Sequence, residues 1–233
     1  MSDYLYCIDC NIAFDKHNYF NCNDHTLVPL NDPAYFIEQL NQDKLIYWQQ
    51  SFLNTVVSFH NLYSNRPYKW DITNNHNTGT VKNIIYQNFQ ILHEDKDHCT
   101  HCSGVTFNIF VETWNKYNKY SYLSVTEMKQ LKKYFFAQID NHTGIAQGFA
   151  KFGIGRLTTD ISEAEVGDFC QLYHNKRGIG HCMSIIGKCK TFSRGKLNNG
   201  LLVYTSNSTT NGMSMDFYSD FEERGFLIGK ITA

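Results

Sequence analysis

The residues best suited to do chemistry lie around Cys102, in the run HCSGV at 101–105. Apolar residues recurring every fourth position follow it, so we predict that Cys102 opens a helix. At a helix start the dipole and the free backbone amides stabilise a thiolate, which lowers the thiol pKa from its ordinary value of about 8.5. The next amides can also stabilise an oxyanion, and the small Ser103 and Gly104 leave space for a substrate. We therefore predict Cys102 as a nucleophile, with Ser103 and Gly104 in oxyanion or substrate binding.

A base for this nucleophile is predicted at His181, which follows Gly180 at the head of a β-prone run. Another such run begins after the tight-turn sequence GDF at 167–169. A neutral histidine on a strand that packs against the helix can take the proton of Cys102, since the two residues need only be neighbours in space. The alternative interpretation is that Cys102 is a small packed residue and His181 a structural histidine at a strand end.

Further cysteines and histidines surround these two residues in the sequence. Cys99 and Cys102 have a spacing shared by redox pairs and by half of a metal site. A redox pair is expected in a βαβ context, which is lacking here, and a second metal site needs two more ligands. We expect His98 and His101 at the rim of the site without a chemical role. Buried apolar substitutes are expected at Cys170, Cys182 and Cys189.

Four potential metal ligands lie in the first 30 residues as two closely spaced pairs, namely Cys7, Cys10, Cys22 and His25. Tetrahedral zinc takes this number and pairing of sulfur and nitrogen ligands. A structural Zn²⁺ would fold a segment too short for its own core, with no position open for catalysis. The alternative is a loose arm with unligated cysteines.

The elements that must position these residues are helices in the first part of the chain and strands in the last. We predict helices over 33–63, 102–117 and 124–140, and strands over 168–173, 181–187, 201–206 and 226–231. Asp32 and Pro33 form an N-cap and first-position pair, and Ser124 and Glu127 form a capping box. The stretch 64–80 is rich in turn formers and is predicted as a loop. Helices followed by an antiparallel meander predict an α+β fold.

The charge balance argues against partners that are bound through a basic surface. The chain has 21 basic and 22 acidic residues and a net charge of −1, so non-specific nucleic-acid binding is not expected. No apolar run reaches the roughly 20 residues of a membrane span, and no basic amphipathic helix suggests a membrane partner. Because the start of the chain lacks a secretory-signal pattern, we expect synthesis in the cytoplasm, with export by a leaderless route left open.

The order of these motifs resembles the NlpC/P60 family of cell-wall cysteine peptidases and amidases, over roughly residues 80–215. The resemblance starts from the Cys-Ser-Gly run at the predicted helix start. The later pieces are GIG at 153–155, EA at 163–164, GDF at 167–169, GH at 180–181, YTSN at 204–207 and TNG at 210–212. This resemblance implies a papain-like core in which the nucleophile helix packs on an antiparallel sheet.

The resemblance also implies a third polar residue, on the strand after the histidine, that orients the imidazole and fixes its tautomer. The candidates are Ser206 and Asn207, and Asn207 is favoured because its amide oxygen can accept the ring N–H. Ser206 is then assigned to substrate binding. The chain departs from the family in two respects. The interval from His181 to the next strand is longer, and His101 stands where many members have Asp.

We thus expect a segment 1–30 that binds zinc, a helical extension with a loop at 31–80, and a catalytic core at 81–233. The family's typical substrates imply cleavage of an amide bond in peptidoglycan stem peptides, through a thioester on Cys102. An exported antibacterial effector with a cognate immunity protein is one version of this hypothesis, and an amidase acting on recycled wall fragments is another. The alternative function is a non-enzymatic zinc-binding adaptor, which predicts that Cys102 is buried or metal-bound and that His181 lies far away.

Overall fold

The α+β class expected from the sequence is confirmed by the computed structural model of the chain. The structure describes residues 4–15, 25–40, 42–70, 79–117, 123–136, 144–174, 179–193, 196–219 and 225–232. Within these residues it has five α-helices, one large mixed β-sheet and a separate two-stranded hairpin. None of the helices in these ranges is both long and apolar enough to cross a lipid bilayer.

The helices and strands are numbered along the chain. The helices are α1 (Pro33–Gln39), α2 (Tyr47–Tyr63), α3 (Cys102–Tyr117), α4 (Val125–Phe135) and α5 (Gly144–Lys151). The first strands are β1 (Tyr4–Cys7), β2 (Ile12–Asp15), β3 (Leu27–Pro29), β4 (Ile84–Tyr86), β5 (Phe89–Leu92) and β6 (Gly155–Thr158). The later strands are β7 (Phe169–His174), β8 (Ile179–Ser193), β9 (Lys196–Asn207), β10 (Gly212–Tyr218) and β11 (Gly225–Ile231).

The single helix predicted over 33–63 is wrong, because the chain breaks it into α1 and α2. Asp32 caps α1 as expected, with its carboxylate accepting a hydrogen bond from the backbone N–H of Tyr35 at 3.0 Å. Leu40 then takes an extended backbone and ends the helix. Leu40 also packs against the main core, so the apolar pattern continues through a residue that is not helical.

The other predicted helices occur where expected. The start of α3 is Cys102, and Ser124 and Glu127 form the capping box of α4. Of the predicted helix over 124–140, the part up to Phe135 is helical, and 137–143 lie outside the described residues. Helix α5, strands β1 to β6 and strand β10 were not predicted.

The sheet is organised around the long strand β8. Its first half pairs with β7 on one side, and its later residues pair with β9 on the other. Where β7 ends, β2 takes its place beside β8 in parallel orientation, at Lys190 and Thr191. The sheet order is β3-β1-β2-β8-β7-β11-β6, with β9 and β10 added through β8. The first thirty residues therefore contribute strands to the same sheet as the predicted base.

The two faces of the sheet carry different clusters of buried side chains. One face packs against the helices through aromatic rings, with Phe110 of α3 lying 5.3 Å from Phe135, 5.3 Å from Phe149 and 5.7 Å from Phe169 between ring centroids. The other face has a smaller apolar cluster, made mainly by β7, β8 and β9. Because side chains alternate along a strand, Cys182 belongs to the helix face and its neighbour Met183 to the opposite face.

The motif at 167–169 has a structural role. Gly167 has a φ of +86°, and a β-carbon there would lie 2.6 Å from the indole Nε1 of Trp48, which donates to the Gly167 carbonyl. Asp168 is buried and accepts hydrogen bonds from Lys230 Nζ at 3.0 Å, from the Glu165 amide at 2.9 Å and from the Ile231 amide at 3.2 Å. Asp168 thus joins β7 to β11 and takes no part in the candidate site.

Candidate active site

Cys102 lies at the first position of α3, as the sequence predicts, but it is only 3% exposed. Its Sγ is 3.9 Å from Nδ1 and 3.8 Å from Nε2 of His101, and 3.9 Å from the Ser103 hydroxyl. Gly104 is buried in the same turn. The backbone amides of the first helical turn have no acceptor within the helix, so those of residues 103 and 104 can stabilise an oxyanion.

The loop before α3 holds His101 against the nucleophile. Residues 67–69 form a short parallel pairing with Thr100, which places the Tyr68 ring on the His101 ring at 5.8 Å between centroids. On the other side Gly79 has a φ of +77° and approaches so closely that a β-carbon there would lie 2.2 Å from the β-carbon of His101. The Asp95 carboxylate accepts from the Gly79 amide at 2.8 Å and fixes this approach. His101 is therefore packed between the Tyr68 ring and the backbone of Gly79.

Strand β8 brings Cys182 to the same place. The Cys182 Sγ is 3.5 Å from the Ser103 hydroxyl, and it donates to the backbone carbonyl of Phe135 at 3.3 Å. Cys182 is buried, as are Cys170 and Cys189, which confirms the expectation that these three fill apolar space. Cys182 has the added property of lying beside the nucleophile.

His181 contacts the site from the start of β8, and Thr205 of β9 holds its ring. The Thr205 hydroxyl donates to the Cys182 carbonyl at 2.9 Å, and its oxygen lies 3.3 Å from His181 Nε2. Since the hydroxyl proton is committed to the carbonyl, the oxygen accepts from an Nε2–H group. In a neutral ring with this tautomer, Nδ1 of His181 is the nitrogen that can act as a base.

The thiol of Cys102 is the group most altered by this arrangement. Its pKa is held well below the ordinary value by a hydrogen bond from Cys182, by the adjacent His101 and by His181, although burial acts in the opposite direction. The pKa of His101 is raised, because the attraction of the Cys102 thiolate outweighs the burial that would lower it. These two directions are the ones expected where a thiolate and an imidazolium lie side by side.

The two residues predicted to orient the imidazole have other partners. Asn207 donates from its amide to the Asp216 carboxylate at 3.2 Å and accepts from the Thr210 amide at 2.9 Å, so it organises the turn after β9. Ser206 is buried and donates to the Thr100 hydroxyl at 2.7 Å, which ties β9 to the loop before the nucleophile. Sequence reasoning missed Thr205, for which only the alternation along β9 gives a signal.

A cleft of about 260 Å³ opens next to the two histidines. His101, His181 and Asn207 line it together with the rings of Tyr68 and Tyr218. A larger groove of about 510 Å³ lies elsewhere, beside residues such as Asp160 and Lys188. We take the smaller cleft as the substrate site, because the residues next to the reactive thiol line it.

The amino-terminal ligands form a second candidate site. Nδ1 of His25 lies 3.6 Å from the Cys7 Sγ and 3.1 Å from the Cys10 Sγ. Sulfur and nitrogen atoms on one tetrahedral zinc ion lie about 3.5 Å apart, so these three residues fit a metal ion. Cys22, the fourth predicted ligand, lies outside the described residues.

The second metal site considered at Cys99 and Cys102 is not found among the described residues. Cys99 is not part of a cluster of potential metal ligands there, and its thiol donates to the Asp97 carbonyl at 3.4 Å.

Comparison with known proteins finds no family model, no curated protein and no solved structure that matches the chain.

Proposed function

We propose that this chain is a cysteine hydrolase that cleaves an amide bond, with Cys102 as nucleophile and His181 as base. The observation that carries the proposal is the convergence of two imidazoles on one thiol at a helix start, beside an open cleft. A thiol whose pKa is strongly lowered, next to residues that line a cleft, is characteristic of catalytic cysteines. In a merely structural cysteine, apolar surroundings act in the opposite direction, as at Cys170, where burial raises the pKa.

The mechanism follows from the positions of these groups. Nδ1 of His181 takes the proton of Cys102, and the thiolate attacks the amide carbonyl while the amides of Ser103 and Gly104 stabilise the oxyanion. As the C–N bond breaks, His181 returns the proton to the departing nitrogen and a thioester remains. A water molecule then gives a proton to His181 and attacks the thioester, which releases a carboxylic acid and regenerates Cys102.

The proposed substrate is a peptidoglycan stem peptide, and the proposed core is papain-like. Both rest on the order of the motifs at 101–105, 167–169 and 180–181, together with a nucleophile helix that packs on β8. If the enzyme acts outside the producing cell, it requires an export route. It also requires an immunity protein that blocks the cleft and so protects the producing cell. If it acts on recycled fragments, neither is needed.

Incubation with intact peptidoglycan and with soluble stem peptides, followed by mass spectrometry, tests this function. We expect a product pair from one amide bond with the unaltered chain and no product with Cys102→Ala. Asp97→Asn is a control, because that side chain lies on the surface and pairs with Lys69. Absence of cleavage together with a Cys102 that resists alkylation would overturn the proposal.

We further propose Zn²⁺ as the metal at the amino-terminal site, with Cys22 completing the set of Cys7, Cys10 and His25. The purified chain is expected to contain about one equivalent of zinc, and the double variant Cys7→Ser, Cys10→Ser almost none. Elemental analysis by mass spectrometry measures this content directly. Cys170→Ser is the control, since that thiol belongs to a different apolar cluster from Cys7 and Cys10. Equal zinc in all three proteins would contradict the site.

The second candidate function is a zinc-binding adaptor without catalysis. Its support is the burial of Cys102, which that interpretation predicts. The position of His181 at the same thiol is contrary to its other prediction. An adaptor would bind zinc as above and leave every peptide intact.

A further inference from the structure

The second histidine at the thiol, His101, has no counterpart in the mechanism above. It precedes the nucleophile directly, and both ring nitrogens lie within 3.9 Å of the Cys102 Sγ. By contrast, the exposed His98 has its own partner in the carboxylate of Glu94 at 2.9 Å. His101 thus lies against the reacting sulfur of Cys102. No carboxylate is needed to explain its position.

We propose that His101 is a second catalytic histidine, whose positive charge keeps Cys102 ionised while His181 carries the protons. The inference rests on the proposed function. It assigns stabilisation of the thiolate to His101 and proton transfer to His181. A full positive charge about 4 Å from a thiolate favours the ionised form strongly in a buried site. His181 has its Nε2–H committed to Thr205, so its Nδ1 is the atom that takes the proton of Cys102, gives it to the departing nitrogen and then takes one from water.

The groups that face His101 support this assignment. His101 meets Cys102 at the start of α3 and the ring of Tyr68 in the preceding loop, and β8 brings His181 and Cys182 to the same thiol. Burial and the nearby Cys102 raise the pKa of Tyr68 to about 12, so that phenol is neutral at working pH. The thiolate is therefore the anion that an imidazolium at 101 can neutralise.

The competing explanation is that Cys182 alone stabilises the thiolate by donating its S–H group. In the structure the Cys182 Sγ also lies 3.3 Å from the Phe135 carbonyl, so this acceptor competes with the nucleophile for the one S–H proton. A thiol is also a weak donor, whereas an imidazolium has a whole charge. We therefore expect the contribution of His101 to exceed that of Cys182.

The packing of His101 makes a conservative test possible. The substitution His101→Phe keeps a flat ring on Tyr68 and beside Gly79 but removes both ring nitrogens and the charge. His101→Gln serves as the second variant, because it retains polarity without charge if the aromatic replacement lowers thermal stability. Cys182→Ala tests the competing explanation, and His98→Gln is the matched control on an exposed histidine.

The experiment is the pH dependence of alkylation by iodoacetamide, followed on the Cys102 peptide by mass spectrometry between about pH 4 and pH 10. Because the thiolate reacts, the rate falls as the pH drops through the pKa of Cys102. Loss of the imidazolium should raise this midpoint by about one unit or more in His101→Phe and His101→Gln. Cys99, whose pKa is raised by burial, is an internal reference that should stay slow in every protein.

The possible outcomes separate the two proposals. A midpoint that moves up in both His101 variants and much less in Cys182→Ala and His98→Gln supports the inference. An unchanged midpoint in the His101 variants, or a larger shift in Cys182→Ala, overturns it while leaving the hydrolase intact. A Cys102 that is inert in the unaltered chain overturns the proposed function itself.

Discussion

Replacing His181 with alanine is expected to lower kcat/KM for the cleaved stem peptide by about 10³-fold, which is typical for loss of a general base. The thiolate of Cys102 would persist, since His101 remains beside it, but no group would deliver a proton to the departing nitrogen or take one from water. The loss should therefore appear in kcat and not in KM. Steady-state kinetics on the peptide identified by mass spectrometry would measure it.

Variants around His181 make the result specific. Thr205→Val keeps the shape of the side chain and removes the hydroxyl that holds Nε2, so we expect a loss of about tenfold through poorer orientation of the ring. His98→Gln should have the activity of the unaltered chain. If His181→Ala retained nearly full activity while His101→Phe lost it, the base would be assigned to the wrong histidine.

Removal of the buried carboxylate in Asp168→Ala is expected to lower the free energy of unfolding by about 3 kcal/mol. The cost arises from the groups left behind, because Lys230 loses an acceptor at 3.0 Å in a place where its side chain is 10% exposed. The backbone amides of Glu165 and Ile231 also lose their acceptor. Urea denaturation would measure the change as a lower midpoint at an unchanged slope.

The control for this prediction is an ion pair on the surface of the same region. Arg156 pairs with Glu163 where both side chains are well exposed, at 51% and 38%, so Arg156→Gln should cost at most about 1 kcal/mol. Equal effects of the two substitutions would mean that the burial of Asp168 contributes nothing particular to stability.

Local signals allowed some of the fold and site to be predicted from sequence. The start of α3 at Cys102 and the capping box of α4 depend on neighbouring residues, which a sequence displays directly. The break between α1 and α2 has no such signal. Leu40 has an extended backbone there and packs against the core, and no glycine or proline marks the break.

The parts of the site that were not anticipated depend on pairing between distant strands. The contact between Thr205 and His181 requires the register of β8 against β9, which the alternation of one strand does not fix. The placement of His101 against the thiol requires the close approach of Gly79 from a separate loop. Identical residue types at another register would give a different set of partners.

The parallel pairing of β2 with β8 has a consequence for the solubility of shortened chains. Ile12 and Ala13 lie opposite Lys190 and Thr191, on the side of β8 that β9 does not cover. Without the first thirty residues that stretch would present unpaired backbone N–H and C=O groups, which invite a strand from another molecule. A chain trimmed to 31–233 should thus self-associate, because the amino-terminal segment normally covers this part of β8.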